Sequence, residues 1–238
     1  MPRLVRMDGE TVLAVFRAES QRLYEKVCGI PEGEWDRPSP CDPWTVREVF
    51  AHLTTTVGRV GDMLAESEPE PSQVLVTAAG YYAPDERFSP AVNDVRVGAA
   101  QESAAVYDDG RALAEHFDAV WRAVAAACAK EPPERQVRTR HGDPMLLSDF
   151  LVTRVVEVCV HGFDVAEGLG HRPWATGEAA DVVARLLLDG RPYDKPVVVA
   201  GAGWDRTTFL RKATGRLPMS ATERTAAERH GLRPLTLG

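Results

Sequence analysis

Between Leu146 and Val165 the chain reads Leu-Leu-Ser-Asp-Phe-Leu-Val-Thr-Arg-Val-Val-Glu-Val-Cys-Val-His-Gly-Phe-Asp-Val, and no other stretch limits the fold so strongly. Apolar residues recur all round a helix of this sequence, which makes it a buried helix rather than a surface one. Yet Arg154, Glu157, His161 and Asp164 follow one another at intervals of three or four and project from one narrow face. Unpaired buried charge is costly, so that face must meet partners on neighbouring elements. A metal ion is one such partner. Glu157 and His161, four residues apart, can reach a single cation, and a carboxylate with a neutral imidazole is an ordinary donor pair for zinc. The spacing alone leaves an even alternative, in which Glu157 pairs with Arg154 and His161 donates to a carbonyl.

A buried helix needs others around it. Asp8 to Gly29 reads as a first helix with Asp8 as N-cap, and Val12, Val15, Phe16, Leu23 and Val27 fall near helical spacing. The proline-rich stretch from Ile30 to Pro43 is a structured loop, and a second helix starts at Trp44 or Thr45 with its stripe running from Val46 to Leu64. Glu66 to Asn93 is irregular, a long connection of the kind that forms lids or binding loops. A third helix runs from about Asp94 or Glu102 to Lys130, ended by Pro132 and Pro133. Val137 to Pro144 reads as a short strand or turn, and Leu146 to Leu169 is the fourth helix. The expected fold is mainly α: a four-helix bundle over residues 1–172, then a short C-terminal α/β appendage over 173–238. Within that appendage Glu178 to Leu188, Thr207 to Thr214 and Ser220 to His230 read as helices and Pro196 to Gly201 as a strand.

His52, on the second helix beside Val49 and Leu53, flanks the apolar stripe and is the best third ligand. His116, His141, His171 and His230 sit among charges, in turns or in the tail and are weaker candidates. Arg59, Arg87, Arg154 and Arg206 are candidate contacts for a carboxylate or sugar, Arg154 foremost because it shares the ligand face. Its alternative is a structural salt bridge to Glu157 or Asp164. Cys41, just before a helix start, reads as structural rather than reactive.

A formal charge of −7 over 238 residues supplies no general field for phosphates and argues against a nucleic-acid partner. No apolar run reaches the roughly 20 residues that span a bilayer, so no membrane partner is expected. Four cysteines without a C-x-x-C pair form neither a disulfide framework nor a zinc knuckle. Reduced thiols and no apolar segment after the N-terminal arginines imply a cytoplasmic protein. The oligomeric state stays open, a homodimer being one option.

The run Ser-Pro-Cys-Asp-Pro-Trp-Thr-Val-Arg-Glu-Val-Phe-Ala-His-Leu at Ser39 to Leu53 resembles the first motif of the mycothiol-dependent maleylpyruvate isomerase family, part of the DinB-like superfamily. Glu157 to Asp164 is similar to that family's second motif, E-x-x-x-H-x-x-D. The resemblance covers roughly residues 8 to 170. It implies a DinB-like bundle with His52, Glu157 and His161 as metal ligands, zinc by default, and Asp164 acting behind them. It also implies mycothiol as thiol cosubstrate, with a small electrophilic molecule as second substrate. Three protein ligands leave a position for thiol, water or substrate, the mark of a catalytic site. S-transfer and thiol-assisted cis–trans isomerisation would both use it. Members of the family carry a larger C-terminal α/β domain, and the reduced 173–238 stretch tips the expectation towards transfer. A non-catalytic metal-binding bundle and a zinc-water enzyme remain as competing functions.

Overall fold

Three of the long helices open on a side-chain cap that the sequence supplies. In the computed structural model, which describes residues 7–70, 73–83, 89–188, 190, 198–199, 202–229, 231–232 and 235, helix α1 (Gly9–Val27) begins where the Asp8 carboxylate accepts from the Thr11 amide at 2.9 Å. Helix α2 (Val46–Ala65) begins with a reciprocal box. The Glu48 amide donates to Thr45 Oγ1 at 3.3 Å and the Thr45 amide to Glu48 Oε2 at 2.7 Å, which satisfies donors the first turn leaves open. A one-turn helix α3 (Ala78–Tyr81) lies inside the connection that reads as irregular in sequence.

The expected third helix is two helices. Helix α4 spans Pro90–Ala104 and helix α5 spans Gly110–Cys128. The break comes at Asp109, whose side chain accepts from the Ala112 amide at 2.7 Å and restarts the helix. A hairpin of β1 (Gln136–Arg138) and β2 (Pro144–Leu146) then leads into α6 (Leu147–Gly168). Helices α1, α2, α5 and α6 pack together as the bundle, with α4 against α2. Val155, Val156, Val158 and Val160 of α6 are fully buried, as its all-round apolar surface requires.

Helix α7 (Gly177–Leu187) lies on α6, and α8 (Arg206–Ala213) on α7. A short antiparallel pair, β3 (Val198–Val199) and β4 (Ala202–Gly203), and helix α9 (Ala221–Arg229) complete the appendage. Helix α9 opens on a capping box, the Ser220 amide donating to Glu223 Oε2 at 2.7 Å and the Glu223 amide to Ser220 Oγ at 3.2 Å. The rest of the expected strand at 196–201 lies outside the described residues.

Trp35, 1% exposed, anchors the loop between α1 and α2 in the core and packs edge-on to Phe50 at 5.6 Å. It does so by lying against the bare backbone of Gly110, where a Cβ would fall 2.1 Å from Trp35 Nε1. Gly110→Ala must displace the indole or the start of α5, and overpacking of this kind costs about 1–3 kcal/mol. A lowered thermal midpoint with unchanged far-UV circular dichroism is the expected result.

Candidate metal centre

Helices α2 and α6 bring the candidate ligands face to face. His52 is 8% exposed and His161 3% exposed. Their rings meet edge to face at 5.4 Å, and the Trp44 indole lies against the His52 ring at 4.8 Å. Glu157 Oε2 lies 3.4 Å from His161 Nε2. One donor atom from each of His52, Glu157 and His161 lies within 4.8 Å of the other two. Two buried imidazoles and one half-buried carboxylate, all convergent, suit a borderline divalent cation.

The far side of His161 is equally organised. Its Nδ1 is 2.9 Å from Asp164 Oδ2, the contact that fixes a metal-binding histidine's tautomer and leaves Nε2 for the ion. Asp164 is fully buried and receives two bonds from Arg216, Nε to Oδ1 at 3.0 Å and Nη2 to Oδ2 at 2.8 Å. Arg216 belongs to the turn after α8. Sequence reasoning does not find it: the pair joins positions far apart in the chain, and the turn has no periodicity.

Arg154 is 1% exposed and held within the bundle, donating to the Thr56 carbonyl at 2.8 Å and lying over Phe150 at 4.5 Å. Its guanidinium is 3.9 Å from Glu157. Tyr82, also buried, donates to the Thr153 carbonyl at 3.1 Å and stands 3.5 Å from Glu157 Oε1. Arg154 and Tyr82 thus brace the carboxylate from behind. Arg206 pairs with Asp181 at 3.2 Å on α7, away from the ligand face, and Arg87 lies outside the described residues.

Burial, assisted by the nearby His161, pushes the His52 imidazole down to about 3, so it is neutral and ready to donate its lone pair. Burial alone would raise the Glu157 carboxyl, but the His161 bond and the Arg154 charge outweigh it and hold it well below the usual carboxylate range. Burial would likewise lower His161. Its bonds with Asp164, Cys41 and Glu157 reverse that and raise it well above the usual imidazole value. Without a cation, then, His161 carries a proton between two carboxylates. A cation must displace that proton, so apparent metal affinity is expected to rise about tenfold per pH unit below the raised His161 value and to level off above it. Chelator competition across pH measures this, and a flat profile would remove His161 from the ligand set.

A cavity of about 480 Å³ opens beside the centre, lined by Cys41, Trp44, Asn93, Val97, Asp164 and Arg216. The Cys41 thiol forms a second close group with His161 and Asp164 and lies 4.0 Å from Arg216 Nη2.

The sequence family described as the mycothiol maleylpyruvate isomerase N-terminal domain matches residues 16–166, a stretch that holds His52, Glu157, His161 and Asp164. The chain belongs to this family. Two relatives of this chain are uncharacterized proteins from two strains of Mycobacterium tuberculosis. Each is 29% identical over 168 residues, which is 68% of this chain and 58% of theirs. The match thus leaves more than a third of those relatives' length uncovered. Among solved structures, the mycothiol-dependent maleylpyruvate isomerase aligns with a TM-score of 0.53 at 16% identity, over 79% of this chain and 72% of that one. A histidine-to-alanine mutant of that enzyme aligns at 0.51 with the same identity and coverage. The mainly helical, DinB-like fold is therefore shared. No helix among the described residues is long and apolar enough to cross a membrane.

Proposed function

We propose that this protein is a metal-dependent enzyme in which His52, Glu157 and His161 hold a divalent cation, zinc by default, and activate a low-molecular-weight thiol, mycothiol. The observation that carries the reading is the convergence of two buried imidazoles and the half-buried Glu157 carboxylate, with His161 fixed from behind by Asp164. Such a cation, when bound, supplies the Lewis acidity that keeps a thiol as thiolate near neutral pH.

The chain's own residues do the rest. His52 stays neutral in its buried setting against Trp44. Arg154 and Tyr82 fix the Glu157 carboxylate, and Arg216 fixes Asp164. Arg154 and Asp164 therefore act by positioning. Residues 1–172 form the metal-binding unit, and residues 173–238 brace it through Arg216. The cavity lined by Trp44, Cys41 and Arg216 gives a thiol and a small electrophile a place beside the centre, which favours an enzyme over a non-catalytic metal-binding bundle.

The thiolate sulfur adds to one carbon of a carbonyl-activated double bond in the second substrate, and the π pair moves onto the carbonyl as an enolate. Protonation of that enolate by solvent keeps the new C–S bond and gives S-transfer, whereas rotation about the former double bond and expulsion of the thiolate restores the double bond as the other isomer. Transfer is the simpler outcome, because it ends at the addition. The test is a cobalt-substituted protein titrated with mycothiol. A new thiolate-to-cobalt absorption band and turnover of an electrophile are expected. A cobalt spectrum indifferent to mycothiol, with no thiol-dependent turnover, overturns the thiol reading in favour of a zinc-water enzyme.

A further inference from the structure

A second cavity, of about 260 Å³, lies along the bundle from the metal centre and is lined by Arg59, Tyr81, Arg138, Arg140, Phe150 and the exposed Asp62, among others. Arg59 follows His52 by seven residues on α2, so the two share a side of the helix and stand about 10 Å apart along its axis. Tyr81 and Phe150 link the cavity to the centre. The Arg154 guanidinium that braces Glu157 lies 4.5 Å from the Phe150 ring and 6.0 Å from the Tyr81 ring.

The Asp62 and Glu66 carboxylates also line this cavity, but among the described residues neither forms an ion pair with its arginines. Arg138 donates to the Gly142 carbonyl at 3.0 Å and to Gln73 at 3.4 Å, and Arg140 to the neighbouring His141 ring at 3.0 Å. Among the described residues no carboxylate lies within ion-pair reach of Arg59 or Arg140. Burial, then the like charges of Arg140 and Arg154, lower Arg59 to about 10. A half-buried guanidinium held beside other cations, with no bonded acceptor, carries an electrostatic cost that a bound anion removes. Guanidinium groups also bind planar or tetrahedral oxyanions through paired donors.

We propose that this cavity is an anion subsite, in which Arg59 and Arg140 take a carboxylate or phosphate group at the far end of the second substrate. The word substrate rests on the thiol-activating reading above. The subsite itself does not. A molecule anchored here by its charged end extends along α2 towards His52, and uncharged electrophiles of the same size lose that anchor.

The test is calorimetric binding of succinate and of inorganic phosphate to the full chain, both metal-loaded and metal-free. Saturable binding in both forms is expected, weakening with added salt. Arg59→Met should weaken it about tenfold or more, the loss expected for charge-assisted bonds, and Arg140→Met should weaken it less. Arg122→Met, which removes an exposed arginine paired with Asp118, should leave it unchanged. Thermal midpoints of all three variants establish folding, and Arg140 on the hairpin offers a second site if Arg59→Met is unstable. Preference for succinate assigns a carboxylate, preference for phosphate a phosphate group, and either supports the subsite. Equal binding by wild type, Arg59→Met and Arg140→Met overturns it. So does binding seen only with metal loaded, which puts the anion on the cation, and so does no binding of either anion. Because none of these readouts uses mycothiol or turnover, a failure of the thiol reading leaves the result for the subsite standing by itself.

Discussion

His52→Ala is expected to abolish stoichiometric metal uptake and all metal-dependent turnover while the helical content is kept. Two donors on α6 would remain, and two donors do not close a stable site for a cation that normally takes at least three from the protein. The loss should exceed the roughly 10–100-fold that changes behind the ligands produce. His116→Ala is the matched control, since His116 is exposed on α5 and stacks on Tyr107 at 5.4 Å, away from the ligand face. Metal content after gel filtration and chelator competition give the comparison. Retention of metal by His52→Ala would shift the assignment to the other close group, Cys41 with His161 and Asp164. That group is the weaker donor set, because both Asp164 oxygens already accept from Arg216.

The clustering at the candidate site is legible in the sequence because helix periodicity carries it. Arg154, Glu157, His161 and Asp164 share one face of α6 in sequence, and in the structure each meets a partner there. His52 is marked in the sequence by its place beside Val49 and Leu53 and by the motif around Trp44, and Trp44 packs on its ring. The break between α4 and α5 was missed because an apolar stripe is a poor guide where a helix is barely amphipathic. Only Ala100 and Ala104 of α4 are buried, so nothing in its pattern ends before α5 begins. The Asp109–Gly110 pair was the available signal, an N-cap followed by a residue small enough to admit Trp35. Arg216 had no such signal. It follows Gly215, whose φ of +79° turns the chain back after α8, and its partner lies in another element. Long-range ion pairs are set by packing, and one chain's residue order does not encode them locally.

Arg216→Ala should have the second largest effect, and it separates stability from metal binding. Asp164 is fully buried, and the substitution leaves its charge with His161 alone. Breaking one side of a buried pair typically costs about 3–5 kcal/mol, while loosening the residue that fixes a ligand costs about 10–100-fold in metal affinity. The pH dependence follows from the same contact. Burial would raise the Asp164 carboxyl, but the bonds from His161 and Arg216 hold it well below its ordinary value. A depressed carboxylate contributes stability that is present above its unfolded value of about 4 and is lost as pH falls through the folded value. Without Arg216 the depression shrinks, so the stability gap between wild type and Arg216→Ala should be widest near neutrality and close in acid. Arg216→Lys keeps the charge without the two-point geometry and should recover stability only in part. Adding Asp164→Asn to Arg216→Ala removes the stranded charge, so denaturant midpoints should rise again. Metal affinity should not recover with them, because the asparagine no longer offers His161 a charged acceptor. If affinity returned together with stability, Arg216 and Asp164 would be a structural pair that only happens to lie behind the centre.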